Sequence, residues 1–340
     1  MKIAIHTEAL GSIISGGIRC IIYFLNELKR RNYDVCAFVD FPPFSSTWLK
    51  SDFEVFSSNS SEYFDFDGVL ISPFSPTINR VSEHKKASSK IYWVHTFEGG
   101  WAHVESTWRT RAINSYKLKN VDFMATSHQV SIILESIFQQ KVLPYCVPGG
   151  IDPKVFFCDS LVEKNKLKTQ TVRFCMLDRP EIQRGISVGL QAFELLKKKY
   201  GDLVSVELLS NIPQTELHKA YGRNHFFIDP SLLAGLPLPP LEAMACGTIP
   251  IVTHFGTNDY IIDGENGFFI NANDTKHTQD VLDAATKIVI EHIEDEKTET
   301  TTYKKISAAA KTQANKWTWE KMVDQFEKNL EYARIEKHSV

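Results

Sequence analysis

The sequence predicts an α/β protein built from two doubly wound, parallel-sheet halves, and three features predict it. Short apolar runs of strand length alternate with longer helix-patterned segments, twice over. The chain has 340 residues, too long for one ordinary core and suited to two domains of about 150 to 170 residues each. Between the two rounds of alternation, 153–171 is polar, charged and unpatterned, and it reads as an interdomain linker.

In the first half, 1–152, the expected strands are KIAIH (2–6), DVCAFVD (34–40), FEVFS (53–57), FDGVLIS (66–72), KIYWVH (90–95) and VDFMATS (121–127). Between the first two, Ile18, Ile21, Ile22, Leu25 and Leu28 recur at helical spacing and mark one apolar face. In the second half, 172–318, the expected strands are VRFCML (172–177), LVSVELL (203–209), HFFID (225–229) and TIPIVT (248–253). Helices are expected to start near Arg184, Pro213, Pro239 and His277. The last segment, 319–340, belongs to a long amphipathic helix that WTWEKMVDQFEKNLEYAR (317–334) announces.

Composition excludes several classes of function. A net charge of −3 gives no global field for nucleic acid, so any phosphate recognition must be local. Six cysteines without a Cys-x-x-Cys pair read as buried free thiols of a reducing compartment. His6 and Glu8 interrupt the start where a signal peptide needs its apolar run, and no apolar run has membrane-spanning length. A cytoplasmic protein is expected, with contact to a membrane surface left open. The histidines show no zinc spacing, and Asp65-Phe66-Asp67 stands before a strand, so no metal is expected.

The most informative stretch is AGLPLPPLEAMACG, Ala234–Gly247. Pro239 and Pro240 suit first helical positions and Gly247 suits the left-handed stop, giving a helix of about two turns with Glu242 expected in its first turn. So short a helix is weakly stable alone, and holding Glu242 and free backbone N–H groups toward a ligand would explain it. A carboxylate serving only the helix dipole is the plainer alternative. Two further elements could meet phosphate: Gly16 and Gly17 open a helix after the first strand, and Arg179 and Arg184 follow the strand VRFCML. His95 closes a strand of a doubly wound sheet, where ligands bind.

The Ala234–Gly247 segment resembles the donor-binding signature of the GT4 family of retaining glycosyltransferases, glycosyltransferase group 1 with the GT-B fold. That pattern is a Glu, seven residues, a second Glu, then Ala-Met-Ala-Cys/Ser-Gly; Glu242 matches the second Glu and Ala234 stands at the first. The order of GGIR, VDFMATSHQV, YCVPGGIDPKVF, MLDRPEIQRG and THFGTNDYIIDGENGFFI supports the same resemblance.

The resemblance implies two Rossmann-like domains facing across a cleft, with a terminal helix crossing back to the first. It implies a nucleotide-sugar donor held by Gly16, Gly17, Arg179, Arg184, Ala234, Gly235, Leu236 and Glu242. His95, Arg179, Arg184 and Glu242 would act in catalysis, and His95, Glu98 and Trp101 would line the acceptor side. The acceptor would be a glycan, lipid-linked or protein-linked, in surface polysaccharide assembly, with no cofactor and no metal. Ala234 implies a smaller, less polar wall suited to a deoxyhexose, unless Gly235 N–H with Asn258 or Asp259 takes over. A catalytically degenerate scaffold, for which Ala234 speaks, and another GT-B enzyme such as an epimerase share the fold; the four catalytic candidates favour a transferase.

Overall fold

The structure is a computed structural model that describes residues 1–338 apart from 12–14, 43–47, 101–104, 180–183 and 295–300, with side chains described as far as 334. The chain divides into two compact units, Met1–Gly150 with Trp319–Val340, and Ile151–Thr318.

The first unit runs β1 (Lys2–Thr7), α1 (Gly16–Arg30), β2 (Asp34–Val39), β3 (Glu54–Ser57), α2 (Ser61–Phe64), β4 (Val69–Ser72), α3 (Ser75–Glu83), β5 (Ser89–Val94), α4 (Ser106–Ser115), β6 (Asp122–Ala125) and α5 (His128–Ser136). The second runs α6 (Ser160–Leu167), β7 (Val172–Leu177), α7 (Ile186–Tyr200), β8 (Val204–Leu209), α8 (Gln214–Gly222), β9 (Phe226–Asp229), α9 (Leu238–Ala245), β10 (Ile249–Val252), β11 (Phe268–Phe269), α10 (Thr275–Glu294) and α11 (Thr302–Ala314). A last helix, α12 (Trp319–His338), returns to the first unit.

All strand pairs are parallel, in the orders β3-β2-β1-β4-β5-β6 and β11-β10-β9-β7-β8. Helical crossovers cover both faces of such sheets, which is why β1, β4 and β10 are apolar runs without alternation. Each order reverses once: between β1 and β4 in one unit, and between β7 and β9 in the other. Ligands of doubly wound sheets bind outside the carboxyl ends of the strands at these reversals.

Local chemistry sets the elements that matter for function. Ser15 caps α1 by accepting from Ile18 N–H at 3.2 Å, which fixes the helix start at Gly16. Along α1 the apolar stripe is buried, and α12 packs on the same helix through Trp319 stacked on Tyr23 at 4.5 Å and Phe326 edge-on to Phe24 at 4.9 Å. Arg31 adds ion pairs to Glu327 at 2.6 Å and Asp324 at 2.8 Å.

Residues 153–171 differ from the expected linker. They lie inside the second unit and carry α6, which Asp159 caps by accepting from Leu161 and Val162 N–H. α6 lacks an apolar pattern because its buried side chain is a lysine: Lys166 is 1% exposed. All six cysteines are free, and no described helix is long and apolar enough to cross a membrane.

Candidate active site

In the first unit the glycines and the histidine singled out in the sequence come together. His95 follows β5 directly, and α1 opens beside it: a β-carbon built on Gly17 would lie 3.6 Å from His95 Nδ1 and 2.9 Å from the Phe74 ring. Gly17 is therefore closely packed against Phe74, while Gly16 is exposed and faces open space. Phe74 and Trp93 hold the imidazole edge-on, with ring centroids 5.5 and 4.2 Å away. Burial pushes the His95 pKa down to about 3, so the ring is neutral at physiological pH. The free N–H groups and positive end of α1 lie beside it and favour the same neutral form. Among the described residues Nε2 of His95 has no hydrogen-bond partner.

Glu98 has a different place from the acceptor wall expected of it. It is 2% exposed and turned toward α3, where its carboxylate accepts from Ser75 N–H at 3.3 Å and from Ser75 Oγ. It thereby satisfies the start of α3, which has no cap from its own N-cap residue, Phe74. Burial raises its pKa to about 7 against the pull of the Ser75 bonds, with Glu8 adding repulsion. Gly99 also packs inward, against Phe97 and Ile113, and Trp101 lies outside the described residues.

In the second unit Arg179 and Arg184 line one small pocket with Leu177, Ile186, Asp229 and Pro230. It sits at the carboxyl ends of β7 and β9, at the strand-order reversal. Gly185, with φ +63°, turns the chain into α7 so tightly that a β-carbon there would overlap the Pro230 carbonyl oxygen. Arg179, Arg184 and Ile186 of the first turn of α7 thus line one pocket. The residues between them, 180–183, are outside the described set.

Ala234, Gly235 and Leu236 lie in the loop between β9 and α9, and the loop is clamped. A β-carbon on Gly256, φ +74°, would overlap the Gly235 carbonyl oxygen, and Tyr260 Oη donates to the Pro237 carbonyl at 2.9 Å. Asn258 is paired with His254 at 2.9 Å. Glu242 sits one turn later than expected: α9 begins at Leu238 and has no acidic residue in its first turn. The two prolines fall after the first helical position, which moves the start upstream. Glu242 is 2% exposed and accepts from the buried Tyr221 hydroxyl at 3.3 Å. Gly247, φ +76°, ends the helix as expected.

Tyr221, Gly256 and Tyr260 complete this arrangement and sequence reasoning missed the two tyrosines. Each reads as an ordinary apolar residue, and only the fold brings a hydroxyl to Glu242 or to the Pro237 carbonyl.

Residues 185–305 match the family described as glycosyl transferases group 1. The second domain is a group 1 glycosyltransferase domain. Over 132 residues, 38% of this chain, the sequence is 28% identical to the serotype-specific mannosyltransferase WbdA of Escherichia coli, and the match spans 15% of that protein's length. Whole-chain likeness is structural. Sucrose-phosphate synthase from Thermosynechococcus elongatus superposes with a TM-score of 0.73 at 12% identity, covering 99% of each chain. The Anabaena protein HepE, in complex with UDP and glucose, gives 0.69 at 13%, covering 98% of this chain and all of that one. A glycosyltransferase from Rickettsia africae gives 0.69 at 15%, covering 97% of each. The fold is GT-B, and the group 1 match contains Ala234, Gly235, Leu236 and Glu242.

Proposed function

We propose that the chain is a retaining glycosyltransferase that moves a hexose or deoxyhexose from a nucleotide sugar to a glycan, glycolipid or glycoprotein acceptor in surface polysaccharide assembly. The observation that carries this reading is the pocket at the β7/β9 reversal, where Arg179 and Arg184 meet the first turn of α7. Two arginines and a helix start suit a diphosphate, whose negative charge grows as the glycosidic bond breaks. That stabilisation works without a metal.

Glu242 accepts hydrogen bonds from the ribose hydroxyls, a charge-assisted contact contributing about 1.5–3 kcal/mol. Neutral His95, whose Nε2 has no partner among the described residues, would supply a hydrogen bond to a hydroxyl of the sugar or acceptor. The leaving phosphate deprotonates the acceptor on the face it vacates, which retains configuration and needs no second carboxylate. Ala234 gives the sugar pocket a small apolar wall that suits a deoxyhexose. The UDP and glucose bound by HepE and the mannosyl transfer of WbdA support the nucleotide-sugar and hexosyl classes.

The test is calorimetric binding of UDP-, GDP- and dTDP-sugars beside the free nucleotides, without added metal. Binding of one nucleotide family, weakened in Arg184→Ala, is expected. Binding of none would overturn the donor site.

A further inference from the structure

Lys166 is an unusual side chain to find 1% exposed. Its ammonium group donates to the Gly247 carbonyl at 2.8 Å, and Ser307 Oγ of α11 donates to the same oxygen at 2.9 Å. That carbonyl belongs to the turn that ends α9, so a cation sits at the negative end of the helix bearing Glu242.

The same turn reaches Glu242 by two routes. Along the helix, the N–H of Cys246 donates to the Glu242 carbonyl at 3.2 Å and that of Thr248 to the Ala243 carbonyl at 3.0 Å. Across to α8, Thr248 Oγ1 donates to the Tyr221 carbonyl at 2.7 Å, and the Tyr221 hydroxyl holds the Glu242 carboxylate. Gly247 takes a left-handed φ of +76°, which favours glycine, and a β-carbon there would lie 3.1 Å from Cys158 Sγ.

We propose that Lys166 is a positioning residue for donor binding: it pins the Gly247 turn, and through α9 and Tyr221 it sets the orientation of Glu242. The proposal rests on Glu242 being the donor contact. A buried lysine is a poor way to gain stability, since one hydrogen bond and a Tyr303 ring 5.9 Å from the ammonium replace its hydration. Burial lowers its pKa to about 8; Cys158, Glu163 and Cys246 oppose that shift, while Lys311 adds to it, and His225 and Cys175 also lie within electrostatic range. A lysine that binds its proton less tightly in the folded state than at the ordinary 10.5 weakens folding below pH 8, and the penalty fades as pH rises from 8 to 10.5.

Stability and binding should therefore move in opposite directions. In Lys166→Met, with Ser307 still satisfying the carbonyl, the thermal midpoint at pH 7 is expected to equal or exceed that of the unmodified chain, and the advantage to shrink above pH 8. Affinity for whichever of UDP, GDP or dTDP binds is expected to fall about tenfold, and amide exchange at 243–248 to quicken. Ser307→Ala, a milder change, should quicken the same amides without the pH dependence. Unchanged exchange and affinity in Lys166→Met would overturn the pin, as would a loss of affinity matched by a fall in the midpoint. If none of the nucleotides binds the unmodified chain while the amides still quicken, the donor reading fails and the pin stands.

Discussion

Gly17 and His95 are packed so closely that the first turn of the helix after β1 and the imidazole after β5, two strands along the sheet, form a single surface, with Phe74 wedged against both. A helix start and a neutral ring thus share one position in the first unit.

Gly17→Ala tests that packing. The added methyl would lie 2.9 Å from the Phe74 ring, which must move and carry His95 with it. Gly17 sits in the first turn of α1 and the clash is with a side chain that can give, so stability should change little. Transfer activity should fall about 10- to 100-fold, as misplacement of a reacting constellation by an ångström would give. Activity within a factor of two would show that the contact is slack.

His95 should leave no mark on the pH profile. With its pKa pushed down to about 3 by burial, the ring does not change charge between about pH 5 and 8. His95→Gln should lower kcat/KM by the same factor at every pH in that range. A limb near 6.5 that vanishes in the variant would contradict a neutral ring.

Glu98 should shape stability instead. Its folded pKa of about 7 exceeds the ordinary 4.5, so the folded state holds the proton after the unfolded state has lost it. Stability therefore falls as pH rises from 4.5 to 7, by about 3 kcal/mol at most, and is flat above. Urea midpoints of Glu98→Gln should lack that slope; parallel profiles for the two proteins would sink the idea.

Arg184→Ala should weaken nucleotide binding by about 10- to 150-fold, the loss of one charge-assisted hydrogen bond to phosphate. The side chain is only partly buried, and folding stability should stay within about 0.5 kcal/mol. Calorimetry and urea denaturation on one preparation separate the two effects.

Phe326→Ala probes the returning helix. The ring is 0% exposed and edge-on to Phe24, so truncation should cost about 3–5 kcal/mol, read from the denaturation of the first unit.

The sheets are legible in the sequence because strands buried on both faces are written as unbroken apolar runs, as in KIAIH and VRFCML. β11 was missed because two residues carry no pattern. α6 was missed because its anchor is Lys166, which reads as surface. At the site, residue types and their order along the chain were legible, since phosphate calls for Arg and for glycine at a helix start. Orientation was not. Glu98 turns inward because of Ser75, 23 positions earlier, and Glu242 is fixed by Tyr221, 21 positions earlier. Such pairings follow from topology, which local pattern does not contain.

The return of α12 has a consequence for synthesis. The first unit begins to emerge from the ribosome before the second, yet its α1 stripe lacks the Trp319 and Phe326 packing until α12 has been made. The intervening 151–318 already holds both edges of its own sheet and can close first. The α1 stripe, made before 151–318, would then be among the last surfaces to reach its final burial.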